Sequence, residues 1–169
     1  MDTLCENKPL DTSFTLFGKT FSYPFFAAPV GAVTLHYSDK YNDISYNDVL
    51  VSACVSHGIA AFTGDGIDAG VMTAACQAIR SAKGVGIPTV KPWNINTVED
   101  KMKQVKESGA FAVAMDVDAA GLPFLKNMTP PAGSKSVEEL REIIKLANLP
   151  FIVKGIMTVK GALKAKEAG

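Results

Sequence analysis

The sequence predicts an α/β fold whose parallel sheet is covered by helices. Three observations carry this. Short apolar runs alternate with helix-patterned segments from Asp48 to Gly169, and units of roughly 25 to 40 residues join parallel strands by right-handed crossovers. The run Pro150-Phe151-Ile152-Val153 is apolar at successive positions, so both faces of that strand are expected to be covered. Glycine or asparagine follows the helix segments at Gly58, Gly84, Gly109, Asn148 and Gly169, where a left-handed residue ends a helix at least cost.

Taken in order, Thr15 to Tyr23 reads T-L-F-G-K-T-F-S-Y. Two β-prone runs flank Gly18-Lys19, which predicts a hairpin. Phe25 to Ala32, F-F-A-A-P-V-G-A, is expected to be a first buried strand. Pro29 and Gly31 end it, because proline lacks a ladder donor and glycine admits unusual φ. Ser38 to Asn47 is polar with interspersed tyrosines and reads as a surface excursion. Asn47 or Asp48 is expected to cap a helix running to Ser56.

Strand Ile59–Thr63, helix Ala69–Ala82 and strand Ile87–Lys91 follow. Helix Val98–Ser108 has Asn96-Thr97 as its start, and strand Phe111–Val117 comes next. Helix Val137–Ala147, started from Ser134 or Ser136, leads to strand Pro150–Lys154 and helix Val159–Ala168. The longest connection, Ala119 to Lys135, holds Pro123, Pro130, Pro131 and Gly133. A loop of that length at a strand's C-terminal end is expected to be a lid or substrate loop.

About five βα units therefore follow a short hairpin, in a single domain over residues 1–169. Two architectures accommodate them: a doubly wound open sheet, or a βα barrel cut short. No G-x-G-x-x-G follows the first strand, which counts against a dinucleotide-binding half. A barrel needs eight strands in about 250 residues. The chain stops on a helix end where a further strand is due, which suggests a fragment.

Composition narrows the function. Formal net charge is zero at pH 7, so there is no electrostatic footprint for nucleic acid or an anionic membrane. No run is long and apolar enough to span a bilayer. Met1 to Leu10 carries acids and polar residues where a signal peptide needs a basic and then an apolar stretch, so cytoplasm is the expected compartment. The cysteines, Cys5, Cys54 and Cys76, are three in number and lack C-x-x-C spacing. Cys54 and Cys76 read as small core residues and Cys5 as part of a polar start. His36 and His57 fit no metal-ligand pattern, and no metal is assigned.

The strand ends collect the chemistry. They are Pro29-Val30-Gly31-Ala32, Thr63-Gly64-Asp65-Gly66, Lys91-Pro92-Trp93-Asn94, Asp116-Val117-Asp118 and Lys154-Gly155. Each turns small, polar or charged after an apolar run, which argues for one shared site at the C-terminal edge of the sheet. The glycines let a flat ligand approach the backbone, Lys91 and Lys154 supply positive charge, and Asp116 and Asp118 supply acceptors. An ammonium such as that of Lys154 is costly to bury without an anionic partner.

Four stretches resemble the FMN-dependent α-hydroxy-acid oxidases and dehydrogenases, the glycolate and lactate oxidase superfamily. They are Thr15 to Ala32 with its A-P-V-G, Ala110 to Asp118 ending in V-D, Ser136 to Ala162 with L-P-F-I-V-K-G-I, and Ala162 to Gly169. The resemblance implies a TIM (βα)8 barrel, present in part, with FMN as cofactor and a small 2-hydroxy acid as substrate. It implies that Lys154 lies by flavin N1 and C2=O, where a cation stabilises negative charge on the reduced ring. It further implies that Ala28, Pro29, Val30 and Gly31 back the flavin edge and that Thr63 or Gly64 makes the next contact. Thr89 would stand near a flavin-contacting glutamine, and Asp116 where a threonine often touches the ring. Asp118 would orient the catalytic histidine.

Departures accompany it. The family's histidine base and phosphate loops belong to a stretch beyond Gly169, so this chain alone is expected to be inactive. Leu125 stands where the family has a substrate arginine, and Lys91 near a family tyrosine. Lys91 is the candidate carboxylate partner in their place. Two alternatives stay open: a flavin-dependent isomerase of the type 2 isopentenyl diphosphate isomerase kind, and a non-catalytic barrel fragment. An unclosed barrel exposes two sheet edges, so a homo-oligomer or a completing segment is expected.

Overall fold

The computed structural model describes residues 8–169; Cys5 lies outside them. Strands β1 (Phe14–Leu16) and β2 (Lys19–Phe21) pair antiparallel as the expected hairpin. Its two turn residues, Phe17 and Gly18, both take positive φ, the turn whose twist matches that of paired strands. Phe21 is 5% exposed. Its ring meets Phe26 edge-on at 4.9 Å and lies 5.7 Å from Phe111. Ser22 N–H donates to the Gly58 carbonyl at 2.8 Å. These contacts seat the hairpin beneath the N-terminal ends of the sheet strands.

Residues 24–32 do not form the predicted buried strand. They run alongside the sheet, joined to it at a parallel bridge between Ala27 and Ala61. Pro24 and Pro29 cannot donate to a ladder, and Phe25 remains 58% exposed. A short helix α1 (Val33–His36) follows. Helix α2 (Asp43–Ser56) then starts four residues before Asn47. Its cap is Asn42, whose side chain accepts from Ser45 N–H at 2.8 Å while Ser45 Oγ accepts from Asn42 N–H at 3.1 Å. The polar stretch expected as a surface excursion thus contains the helix start. Asn47 is buried inside the helix and accepts from Gly64 N–H at 3.1 Å.

The βα units then run β3 (Phe62–Thr63), α3 (Ala69–Ser81), β4 (Ile87–Val90), α4 (Ile95–Ser108) and β5 (Val113–Asp116). A 3-10 turn (Val117–Gly121) and α5 (Pro123–Lys126) lead to α6 (Val137–Ala147), β6 (Phe151–Lys154) and α7 (Val159–Ala168). The sheet is parallel in the order β3-β4-β5-β6, with Phe62 beside Ile87, Thr89 beside Ala114, and Asp116 beside Lys154. Helices α2, α3, α4, α6 and α7 pack in succession, each on the next, as one outer layer. Among the described residues the sheet has four strands, one fewer than the sequence predicts, because residues 24–32 contribute only their bridge.

Strand alternation divides the side chains into two faces. Val90, Val113 and Met115 belong to the core shared with Met72, Ile79, Val98, Met102 and Ile143 of the helices. Ile87, Ala112 and Ala114 cluster on the opposite face with Phe62, Phe111 and Ile152. Continuing that second face along each strand brings Gly64, Thr89, Lys91, Asp116 and Lys154 to one rim. β6 is only half-buried along its length, not covered on both faces, since β5 is its one strand partner among the described residues. The connection after β5 is not an open loop. Asn94 N–H donates to Pro131 O and Gly133 N–H to Pro92 O, both at 3.0 Å, and Leu125 is buried. Those bonds fasten it to the turn after β4.

Candidate active site

The rim carries four charges of alternating sign. Lys91 Nζ stands 3.8 Å from Asp116 Oδ2, Lys154 Nζ donates to Asp116 Oδ1 at 2.5 Å, and Asp118 Oδ1 is 3.5 Å from Lys154 Nζ. The Asp116–Lys154 contact follows from register, because these two residues are directly opposed at the ends of β5 and β6. Burial raises the Asp116 carboxyl above its ordinary value, helped by its hydrogen bond with Asp118 and resisted by Lys154. That bond to Asp116, with Lys154 adding to it, holds Asp118 below the usual range. Burial alone would lower Lys154, but its bonds to Asp116 and Asp118 outweigh this and raise it.

A cavity of about 40 Å³ lies between this rim and the loop at 29–31, lined by Pro29, Val30, Gly31 and Gly64 on one side and Asp65, Thr89, Lys91 and Asp116 on the other. Six of the residues named from sequence as cofactor contacts thus meet: Pro29, Val30, Gly31, Gly64, Thr89 and Asp116. Gly64 is packed so tightly that a Cβ there would stand 2.1 Å from the Val30 carbonyl oxygen. Two of the named residues are not brought to this cavity. Ala28 is exposed. Thr63 falls by alternation on the helix-facing side, so of Thr63 and Gly64 it is Gly64 that lines the cavity. Asp118 and Lys154 border it through their contacts with Asp116. A larger cavity of about 280 Å³ adjoins it, sharing Gly31, Asp65 and Lys91 and adding His36, Ile67 and Leu125. His57 is elsewhere, its Nδ1 2.9 Å from the Ala53 carbonyl at the end of α2.

Sequence reasoning placed Asp65 at a strand end without giving it a role, and it missed Lys101. Asp65 is 5% and Lys101 6% exposed, and their charged atoms are 2.7 Å apart. Asp65 also accepts from Trp93 Nε1 at 2.7 Å, so the fully buried Trp93 is polar-anchored as well as packed. A signal was present. Lys101 lies in the apolar stripe Val98, Met102, Val105 of α4, and a lysine on a buried stripe demands an acid opposite.

A family model described as FMN-dependent dehydrogenase matches residues 1–127. The chain belongs to that family. Among curated proteins, none matches this chain. Among solved structures it is similar to a Pediococcus acidilactici lactate oxidase, at 19% identity and TM-score 0.67, over 96% of this chain and 49% of that one. It is similar to a flavocytochrome b2 variant at 20% identity and TM-score 0.78, over 99% and 44%. A soluble mutant of the membrane-associated (S)-mandelate dehydrogenase from Pseudomonas putida matches at 14% and TM-score 0.71, over 99% and 55%. These likenesses give the fold, part of a TIM (βα)8 barrel. The chain spans about half the length of the structures it matches.

The rim fits the family's cofactor. Thr89 Oγ1 is buried without a hydrogen-bond partner, and Thr89 lines the smaller cavity together with Lys91 and Asp116. Such a hydroxyl is costly unless a ligand's polar edge satisfies it. Gly64, having no Cβ, lets the backbone of Val30 and Gly31 pack directly against the end of β3 and so fixes the loop that lines the cavity. Among the described residues no group of three His, Cys, Asp or Glu side chains could hold a metal ion, and no helix is long and apolar enough to cross a membrane.

Proposed function

We propose that the protein oxidises a 2-hydroxy acid to the corresponding 2-oxo acid, with FMN as the electron acceptor. The observation that carries this is the convergence of Lys91, Lys154 and the unpartnered Thr89 on one rim of a chain in the FMN-dependent dehydrogenase family. When bound, FMN supplies a two-electron acceptor for the substrate's Cα–H and O–H pair. Lys154 would hold positive charge at the ring's edge, its own place fixed by Asp116. Lys91 would take the substrate carboxylate at the boundary of the two cavities. The buried Leu125 leaves that task to Lys91 and gives the larger cavity an apolar wall for the substrate's side chain. Asp118 would orient a histidine base supplied by the segment that completes the barrel.

The same reading includes assembly and location. β6 offers one unpaired edge among the described residues, and Met157, Val159 and Leu163 beside it are 91%, 80% and 63% exposed. Exposed strand edges and apolar patches recruit partners, so residues 1–169 alone should self-associate. Light scattering that shows a stable, monodisperse monomer would refute this. The two described cysteines, Cys54 and Cys76, are free and buried, in keeping with a reducing compartment such as the cytoplasm.

The test of function is purification of the complete protein and anaerobic addition of 2-hydroxy acids. The expected result is a yellow protein whose flavin bands bleach, with Lys91→Met raising KM at least tenfold. A protein that takes up no FMN would overturn the reading. Bound FMN that no 2-hydroxy acid reduces would point instead to flavin-dependent isomerisation.

A further inference from the structure

We infer that the buried Asp65–Lys101 pair is a positioning device for Lys91; this rests on the reading of Lys91 as the substrate's carboxylate partner. β4 ends at Val90, and Lys91 is already beyond the strand. Its backbone N–H donates to Asp65 Oδ2 at 3.0 Å. Pro92 has no N–H, and Trp93 N–H turns back to the Lys91 carbonyl at 2.8 Å. The turn that carries Lys91 is therefore held to the neighbouring strand end through one carboxylate.

That carboxylate is saturated. Oδ2 accepts from Lys91 N–H and from Trp93 Nε1–H, at 3.0 and 2.7 Å. Oδ1 accepts from Lys101 Nζ and from Gly66 N–H, at 2.7 and 2.9 Å. Four donors fill the acceptor sites of an ionised carboxylate and leave one orientation open to it. A buried pair of this kind adds little net stability over an apolar replacement, while its directed bonds fix geometry. Asp65 also forms wall in both cavities, so a shift in its position moves Lys91 relative to both. Lys101 anchors the carboxylate from α4, and the chain of contacts runs from helix to acid to strand end to substrate cation.

The test uses the chain as it is. Asn at position 65 would keep a carbonyl oxygen for Lys91 N–H and Trp93 Nε1–H, and Asp65→Ala alone would leave Lys101 charged and unpaired in the core, so the informative variant is Asp65→Ala with Lys101→Met. Lysine accessibility is read by limited acetylation and mass spectrometry. Trp93, the one tryptophan of the sequence, reports its own surroundings by fluorescence. The expected result is a folded variant in which Lys91 acetylates at least tenfold faster, exposed lysines such as Lys103 are unchanged, and Trp93 emission shifts. A folded variant with Lys91 labelling unchanged would overturn the inference, since the pair would then seat Trp93 alone. So would uniform acceleration at every lysine with loss of fold, unless hydrogen exchange in the unaltered chain finds the Lys91 amide protected to within tenfold of Val90. A Lys91 amide exchanging like an open loop overturns the inference by itself. None of these readouts needs FMN or substrate. Failure of the oxidase reading leaves them intact, and their failure leaves flavin reduction to be judged on its own.

Discussion

Asp116 places a negative charge inside a rim of cations, and the consequences are local. It sits between two ammonium groups and cancels part of the positive field that either would present. A single charge about 5 Å from a redox group at an effective dielectric near 20 is worth roughly 3 kcal/mol, or about 70 mV for two electrons. In the FMN-loaded protein, Lys154→Met should therefore lower the flavin midpoint potential by tens of millivolts, and Asp116→Asn should raise it. Spectroelectrochemical titration measures both, and shifts of the same sign would remove Asp116 from the account. The residues of this rim were legible in the sequence because each follows an apolar run. The Asp65–Lys101 pair was not, since its partners are 36 positions apart and only the stripe of α4 hinted that a cation was buried.

At the level of elements, helices were read better than strands. Helix ends announce themselves through caps: Ser136 and Glu139 exchange side-chain and backbone bonds at 3.1 and 2.7 Å, and Asn148 takes the left-handed conformation after α6. Ser136→Ala should cost about 1 kcal/mol in denaturant unfolding, and no change would mean the box is dispensable. Residues 24–32 show why strands fared worse. Their composition is apolar, but a strand is a relation to a neighbour, and two prolines leave too few donors to build one. The start of α2 was misread because Asn42 and Ser45 form a capping box without the acid that usually marks it.

The whole molecule is a curved sheet with helices outside, a polar rim above and an aromatic hairpin below. Its packing also sets its tolerance of alkali. Cys76 is buried against α3's own Met72, and burial pushes its thiol up to about 11 from 9.0. Between those values the unfolded chain releases the proton and the folded chain keeps it, so stability falls as pH rises through that window. Lys154, also raised in the fold, adds a loss in the same direction at higher pH, above 10.5. Unfolding free energies from denaturant titrations at pH 8 and pH 10.5 should differ by on the order of 2 kcal/mol, and Cys76→Ala should flatten the difference. An unflattened slope would assign it to other groups.

The hairpin beneath the sheet has a practical side. It closes the base with Phe21, Phe26 and Phe111, while Thr15 and Thr20 face outward from it and share a hydroxyl contact at 2.9 Å. A thiol introduced at Thr15 would be a mooring point at the pole opposite the charged rim. Protein attached there to an electrode or a bead would stand with its mouth toward the solution, every molecule facing the same way.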